Sequence, residues 1–136
     1  MAFLADTSVW VDWLKGTDSP ESAWLRDAIV EDFDLLVPGI VIAEVLRGVP
    51  GEREARRLEH LFEQFDAVPA LDDRDYREAA RLYRHCRTKG VTIPSTTDCL
   101  IAQLAVRHRL TMVTRDRDFQ AIAKVTSLSV ARLPAH

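Results

Sequence analysis

Short apolar runs alternate with helix-length amphipathic stretches along this chain, and that alternation constrains its fold more than any single motif. Buried strands are predicted at residues 2–5, 33–37, 67–71, 110–113 and 128–131. Helices are predicted between them at 8–14, 21–31, 38–48, 52–65, 73–89, 98–107 and 119–123. Strands separated by helices pair in parallel, and a parallel sheet needs cover on both faces. The expectation is a single α/β domain over 1–136, with a mainly parallel central sheet of about five short strands and helices on both faces. Apolar residues recur at helical spacing: Trp24, Leu25, Ala28 and Ile29, then Leu58, Leu61, Phe62 and Phe65, then Tyr76, Ala79, Ala80 and Tyr83. The last set marks the apolar face expected of the longest helix. Thr7 or Ser8 can cap the first helix and Asp72 the long one, which Gly90 stops.

At 136 residues the chain suits one domain with a real core, and 47% hydrophobic against 29% charged residues is ordinary for a globular protein. No apolar run reaches the ~20 residues that span a membrane. MAFLADTSVW has no basic segment before Asp6, so no signal peptide is expected and the cytoplasm is the default location. Cys86 and Cys99 are too few for a disulfide framework or a zinc site, and read as buried free thiols. A net charge of −3 excludes a general polyanion trap, so contact with nucleic acid must come from local basic clusters.

Four acids sit in or beside apolar runs: Asp6 in FLADTSVW, Glu44 in VIAEVLRG, Asp98 in STTDCLIA and Asp116 in VTRDRDF. A lone carboxylate is costly to desolvate there. Each has a plain structural role open to it. Asp6 could cap a helix, although Thr7 and Ser8 can do so too. Glu44 could face solvent or pair with Arg47. Asp98 completes a capping box begun by Ser95. Asp116 or Asp118 could cap the next helix, and Asp118 is the better placed for it. Asp116 is therefore assigned to the acid group, with Asp118 as its substitute. Their conjunction carries more weight than any one, because active sites in such sheets lie outside the carboxyl ends of the strands. If the fold gathers the four, a hard cation such as Mg2+ would offset their repulsion, which points to metal-assisted phosphate chemistry.

DTSVW, Glu44 in its apolar helix, STTDCLIA and TRDRDF together resemble the motifs of PIN-domain proteins, above all the VapC-type toxins of bacterial toxin–antitoxin pairs. The resemblance covers essentially the whole chain. It implies an endoribonuclease dependent on Mg2+ or Mn2+, inhibited by a cognate VapB-type antitoxin and homodimeric. It implies catalytic roles for Asp6, Glu44, Asp98 and Asp116, with Thr7 or Ser8 and Thr114 lining the site. Asp6 and Asp98 would be the main metal ligands, Glu44 would hold a second ion or orient water, and Asp116 would complete the acidic cup. It also implies cleavage in exposed loops of structured RNA, such as tRNA or rRNA, leaving a 5′-phosphate and a 3′-hydroxyl. His60, His85, His108 and His136 lie outside the four motifs and read as surface or helix residues.

An acidic cup needs cations elsewhere to steer RNA. Arg81, Arg84 and Arg87 recur every three residues, with Lys89 after them, and Arg115 and Arg117 bracket Asp116. Arg53, Arg56 and Arg57 form a third group. Such residues position a strand through its phosphates without reading sequence. Trp10, Val11, Trp13 and Leu14, with Trp24, Val45 and Leu46, could form core or a groove for an antitoxin helix. Two readings compete: a phospho-accepting receiver-like module, and a non-catalytic α/β module that binds RNA or protein. A receiver would want an acid pair near the first strand, but Asp6 has no acidic neighbour before Asp12.

Overall fold

The structure, a computed structural model, describes residues 1–134; the last two residues of the predicted domain, His136 among them, lie outside the described residues. The strands are β1 (Phe3–Ala5), β2 (Leu35–Val37), β3 (Asp66–Ala67), β4 (Thr111–Val113) and β5 (Ser129–Val130). The helices are α1 (Thr7–Lys15), α2 (Pro20–Glu31), α3 (Gly39–Arg47), α4 (Glu52–Phe62), α5 (Asp73–Thr88), α6 (Thr96–Arg107) and α7 (Arg117–Val125). Every strand pairing is parallel, in the order β3-β2-β1-β4-β5. The expected α/β architecture is therefore present, a five-stranded all-parallel sheet with seven helices among the described residues.

From β1 the chain steps outward through β2 to β3, then crosses back to β4 and continues to β5. Right-handed crossovers put α1 to α4 on one face and α5 to α7 on the other. The direction reverses between β1 and β4, so the crevice of the sheet opens beyond their carboxyl ends. A receiver-type sheet has the order 2-1-3-4-5, so this topology removes the receiver reading.

Burial follows strand position. Leu4 and Ala5 of central β1 are fully buried, whereas both residues of edge strand β3 are exposed. The expected strand over 67–71 is displaced to Asp66–Ala67. Pro69 has no N–H to offer the ladder, so pairing stops before it. On the first face Trp10 is fully buried and meets Phe62 edge-on at 4.9 Å, with Trp13 and Phe65 at 5.9 and 6.0 Å. Trp24 packs on Phe3 and Phe33. Trp10 and Val45 thus belong to the core, and of the residues read as a possible groove only Leu14 is well exposed. Cys86 and Cys99 are free and buried, as expected.

The long helix departs from expectation. Its buried face is Asp75, Ala79 and Cys86, with Leu82 packed against the core, while Tyr76 and Tyr83 are 53% and 36% exposed. Asp75 turns it. Its Oδ2 accepts from Arg107 Nη1 at 2.6 Å and from the Asp72 N–H at 3.1 Å, and the Asp75 N–H donates to Asp72 in return. A residue one step along a helix points about 100° away, so burying Asp75 brings Tyr76 to the surface. No helix among the described residues is long and apolar enough to cross a membrane.

Candidate active site

Asp6 is the first residue past β1 and adopts an extended conformation, φ −76° and ψ 175°. It, and neither Thr7 nor Ser8, caps α1, accepting the Val9 N–H at 3.2 Å. Capping by the acid frees both hydroxyls for other contacts. Ser8 Oγ donates to Asp6 Oδ1 at 2.6 Å, and Thr7 Oγ1 donates to Glu44 Oε1 at 2.7 Å. The second Asp6 oxygen accepts from Thr114 Oγ1 at 2.5 Å. Thr114 directly follows β4, so this bond joins the two strand ends that flank the crevice. Asp6 itself is 2% exposed.

The loop after β4 also differs from expectation. Asp116, not Asp118, caps α7, its Oδ1 accepting the Asp118 N–H at 2.8 Å. Thr114 Oγ1 accepts the Asp116 N–H at 2.9 Å, which fixes the turn against Asp6. An acid can cap a helix and still present charge to a neighbour, because the cap uses one oxygen. Asp98 sits half-buried in the first turn of α6, where Ser95 Oγ accepts its N–H at 3.1 Å.

Electrostatics tie these segments together. Burial pushes the Asp98 carboxyl above its ordinary range; a hydrogen bond from Ser95 offsets part of this, and the charges of Asp116, Glu44 and Asp118 add to it. Burial also raises Asp6, against hydrogen bonds from Ser8, Thr114 and Val9, and the Asp116 charge raises it further. Asp118 is pushed up by loss of water and by Asp116. Asp116 is thus the charge that Asp6, Asp98 and Asp118 all feel. The structure brings Asp6, Glu44, Asp98 and Asp116 to one region, with Asp118 at its exposed rim.

The donors there are carboxylates and hydroxyls, a set suited to a hard divalent cation. Among the described residues, no three Asp, Glu, His or Cys side chains lie close enough to cage an ion. Mg2+ keeps several waters and commonly uses only one or two carboxylates. The residues therefore fit a largely hydrated ion and do not fit a closed all-protein cage.

The arginines are divided. Arg115 is ion-paired to Asp12, a partner 103 residues away in sequence, and Arg81 to Glu78. Arg87 donates to Thr92 Oγ1 at 3.0 Å. Arg84 and Arg117 are exposed and make no ion pair among the described residues. Arg81, Arg84 and Arg87 lie together at the C-terminal half of α5, around a cavity of about 510 Å³. The Asp75–Arg107 pair was also missed, although Asp72 three residues before Asp75 carries the spacing of a capping box.

The profile of the PIN domain matches residues 3–125, and the chain belongs to the PIN-domain family. Within that family it is VapC-like: it is 37% identical over 129 residues to VapC ribonuclease Mb1587 of Mycobacterium bovis, covering 94% of this chain and 96% of that protein. The same figures hold for Ribonuclease VapC11 of Mycobacterium tuberculosis. Among solved structures, VapBC2 from Rickettsia felis bound to a promoter DNA fragment superposes with a TM-score of 0.75 at 17% identity, over 98% of this chain and 100% of that one. DNA-bound VapBC from Salmonella typhimurium gives 0.73 at 16%, over 96% and 97%. At such identities the likeness is one of fold.

Proposed function

We propose that this protein is the ribonuclease toxin of a VapBC-type toxin–antitoxin pair and that it hydrolyses RNA phosphodiester bonds at the acidic site, with Mg2+ or Mn2+ as cofactor. The observation that carries this reading is the convergence of Asp6, Glu44, Asp98 and Asp116 from four chain segments, with charges that bear on one another. The relatives named as ribonucleases support it.

Asp6 and Asp98 would hold the ion, directly or through water. When bound, the ion supplies a Lewis acid that polarises a phosphoryl oxygen and makes an attacking water more acidic. Ser8 and Thr114 keep Asp6 in one orientation, and Thr7 keeps Glu44 aimed. Glu44 so held can orient the water. Attack at phosphorus breaks the P–O3′ bond and leaves a 3′-hydroxyl and a 5′-phosphate. Asp116 completes the negative charge that recruits the cation.

The substrate class we propose is a loop of a structured RNA, such as tRNA or rRNA, where unpaired bases are open to contact. A VapB-type antitoxin is the proposed partner, supported by the VapBC complexes among the structural relatives. Exposed Leu14 on α1, next in sequence to partly buried Trp13, is the proposed apolar contact for an antitoxin helix. The chain is proposed to act as a cytoplasmic homodimer.

The test incubates total RNA with wild type, Asp6→Asn and Asp98→Asn, in Mg2+ or in EDTA. Metal-dependent cleavage by wild type, lost in both variants, is the expected result. Equal cleavage by all three proteins would reject the reading.

A further inference from the structure

We propose that the groove between α5 and α6 is a binding track for single-stranded RNA, in which Tyr76 and Tyr83 stack on bases and Arg84 holds a phosphate. The proposal rests on the nuclease reading for the nature of its ligand and adds where the strand lies.

The chain has ten aromatic side chains of the Phe, Trp and Tyr types, five, three and two respectively. Tyr76 and Tyr83 are its only tyrosines, and they are the only aromatic residues exposed among the described residues. Neither has a ring partner among the described residues, while Trp10 packs on buried Phe62 and Trp24 on half-buried Phe3. Seven residues apart, they share one helix face about 10 Å from each other along the axis. That distance is about three rises of stacked bases at 3.4 Å each. Ala79 and Ala80 lie between them and leave a floor without bulk. The groove holds about 460 Å³, and its opposite wall is Ile93, Pro94 and Thr96.

Charge and position name the occupant. Arg84 lines this groove and also the neighbouring cavity formed with Arg81 and Arg87, so the aromatic floor runs into a basic one. Arg84 has no carboxylate partner among the described residues. Aromatic faces interleaved with arginine suit a polyanion with π-faces, and base stacking tolerates any sequence. At its other wall the groove meets Ser95 and Thr96, in the turn of chain that opens α6 and carries Asp98. A strand lying in the groove is thus led toward the acidic site.

The test uses the full chain with Asp98→Asn as parent, so that RNA is bound and not cut. The probe is a short single-stranded RNA carrying 2-aminopurine. Tyr76→Ala and Tyr83→Ala should each weaken its Kd about 5- to 150-fold, with loss of the quenching of 2-aminopurine, while the Tyr→Phe variants stay within about twofold because the ring face is kept. Arg84→Ala should lower the salt dependence by about one phosphate contact. No binding by the parent, alanine variants that bind like the parent, or a dimeric parent that becomes monomeric in Tyr76→Ala/Tyr83→Ala would each overturn the proposal. The last outcome would make the groove an interface between copies. In the catalytically intact chain the same alanine variants should raise KM and leave kcat. Absence of cleavage by wild type, with the binding losses still present, would reject the nuclease reading alone. Normal cleavage with unchanged binding and KM would reject the groove alone.

Discussion

Asp6 does several things at once. It caps α1, accepts from two hydroxyls and carries a charge that the interior opposes. Asp98 is the cleaner probe, since its neighbours Asp116, Glu44 and Asp118 push its titration upward after burial has begun the shift. A raised carboxyl contributes stability that is full below its unfolded value of 3.8 and is lost as pH rises through the folded value. Asp98→Asn should therefore melt above wild type at neutral pH without divalent ions, and the gap should close on acidification toward pH 4. A thermal melt series across pH reads this, and an equal gap at every pH would contradict it. Asp75 behaves in the opposite way. Burial alone would raise it, but the Asp72 N–H and the Arg107 guanidinium outweigh burial and hold it below the usual carboxylate range. Its contribution is full above 3.8 and is lost as pH falls through the lower folded value. Arg107→Met should melt lower than wild type at pH 7, because a fully buried carboxylate is left without its partner. It should also lose the part of the wild-type acid transition that belongs to Asp75.

At the scale of elements, the helix ends are set by single residues. Gly16 ends α1 in the left-handed region at φ +71°, and nothing lies within 4 Å of where a Cβ would stand. Gly16→Ala is then a purely backbone cost, expected at about 1 kcal/mol and a melting point lower by about 4 °C. A fall several times larger in calorimetry would mean that packing is also disturbed. Helix α5 shows how a polar residue can set the orientation of an element. Its pattern of Tyr76, Ala79, Ala80 and Tyr83 offers one apolar face, yet the buried stripe runs through Asp75, Ala79 and Cys86. One ion pair from α6 decides between them.

For the whole molecule, the sheet order is what makes a site. Reversal of strand order between β1 and β4 opens one crevice, and the residues that follow those two strands are Asp6 and Thr114. Helices α3 and α6 meet across the fold and bring Glu44 and Asp98 toward the same region. A ligand that binds only the folded chain stabilises it by mass action. With Mg2+ at a hundredfold excess over its Kd, wild type should gain about 2.7 kcal/mol, and Asp6→Asn should gain little. Differential scanning calorimetry over an Mg2+ titration checks this, and an equal rise in both proteins would place the ion elsewhere.

Periodicity alone was enough to determine the class of fold. Apolar runs too short for helices, alternating with helical stretches, leave few options beyond a parallel sheet covered on both faces. The four acids could be picked out because carboxylates beside apolar runs are costly unless the fold uses them. Local sequence did not determine which residue caps which helix, because Asp6, Thr7 and Ser8, like Asp116 and Asp118, are all competent caps; at α1 the distant partners Glu44 and Thr114 engage Thr7 and Asp6, and at α7 that same Thr114, held by Asp6, takes the Asp116 N–H. Nor did it determine the face of α5, since Arg107 lies 32 residues from the Asp75 it holds. Contacts of that range depend on where the sheet places its crossovers, so the tertiary structure settles them and no window of sequence contains them.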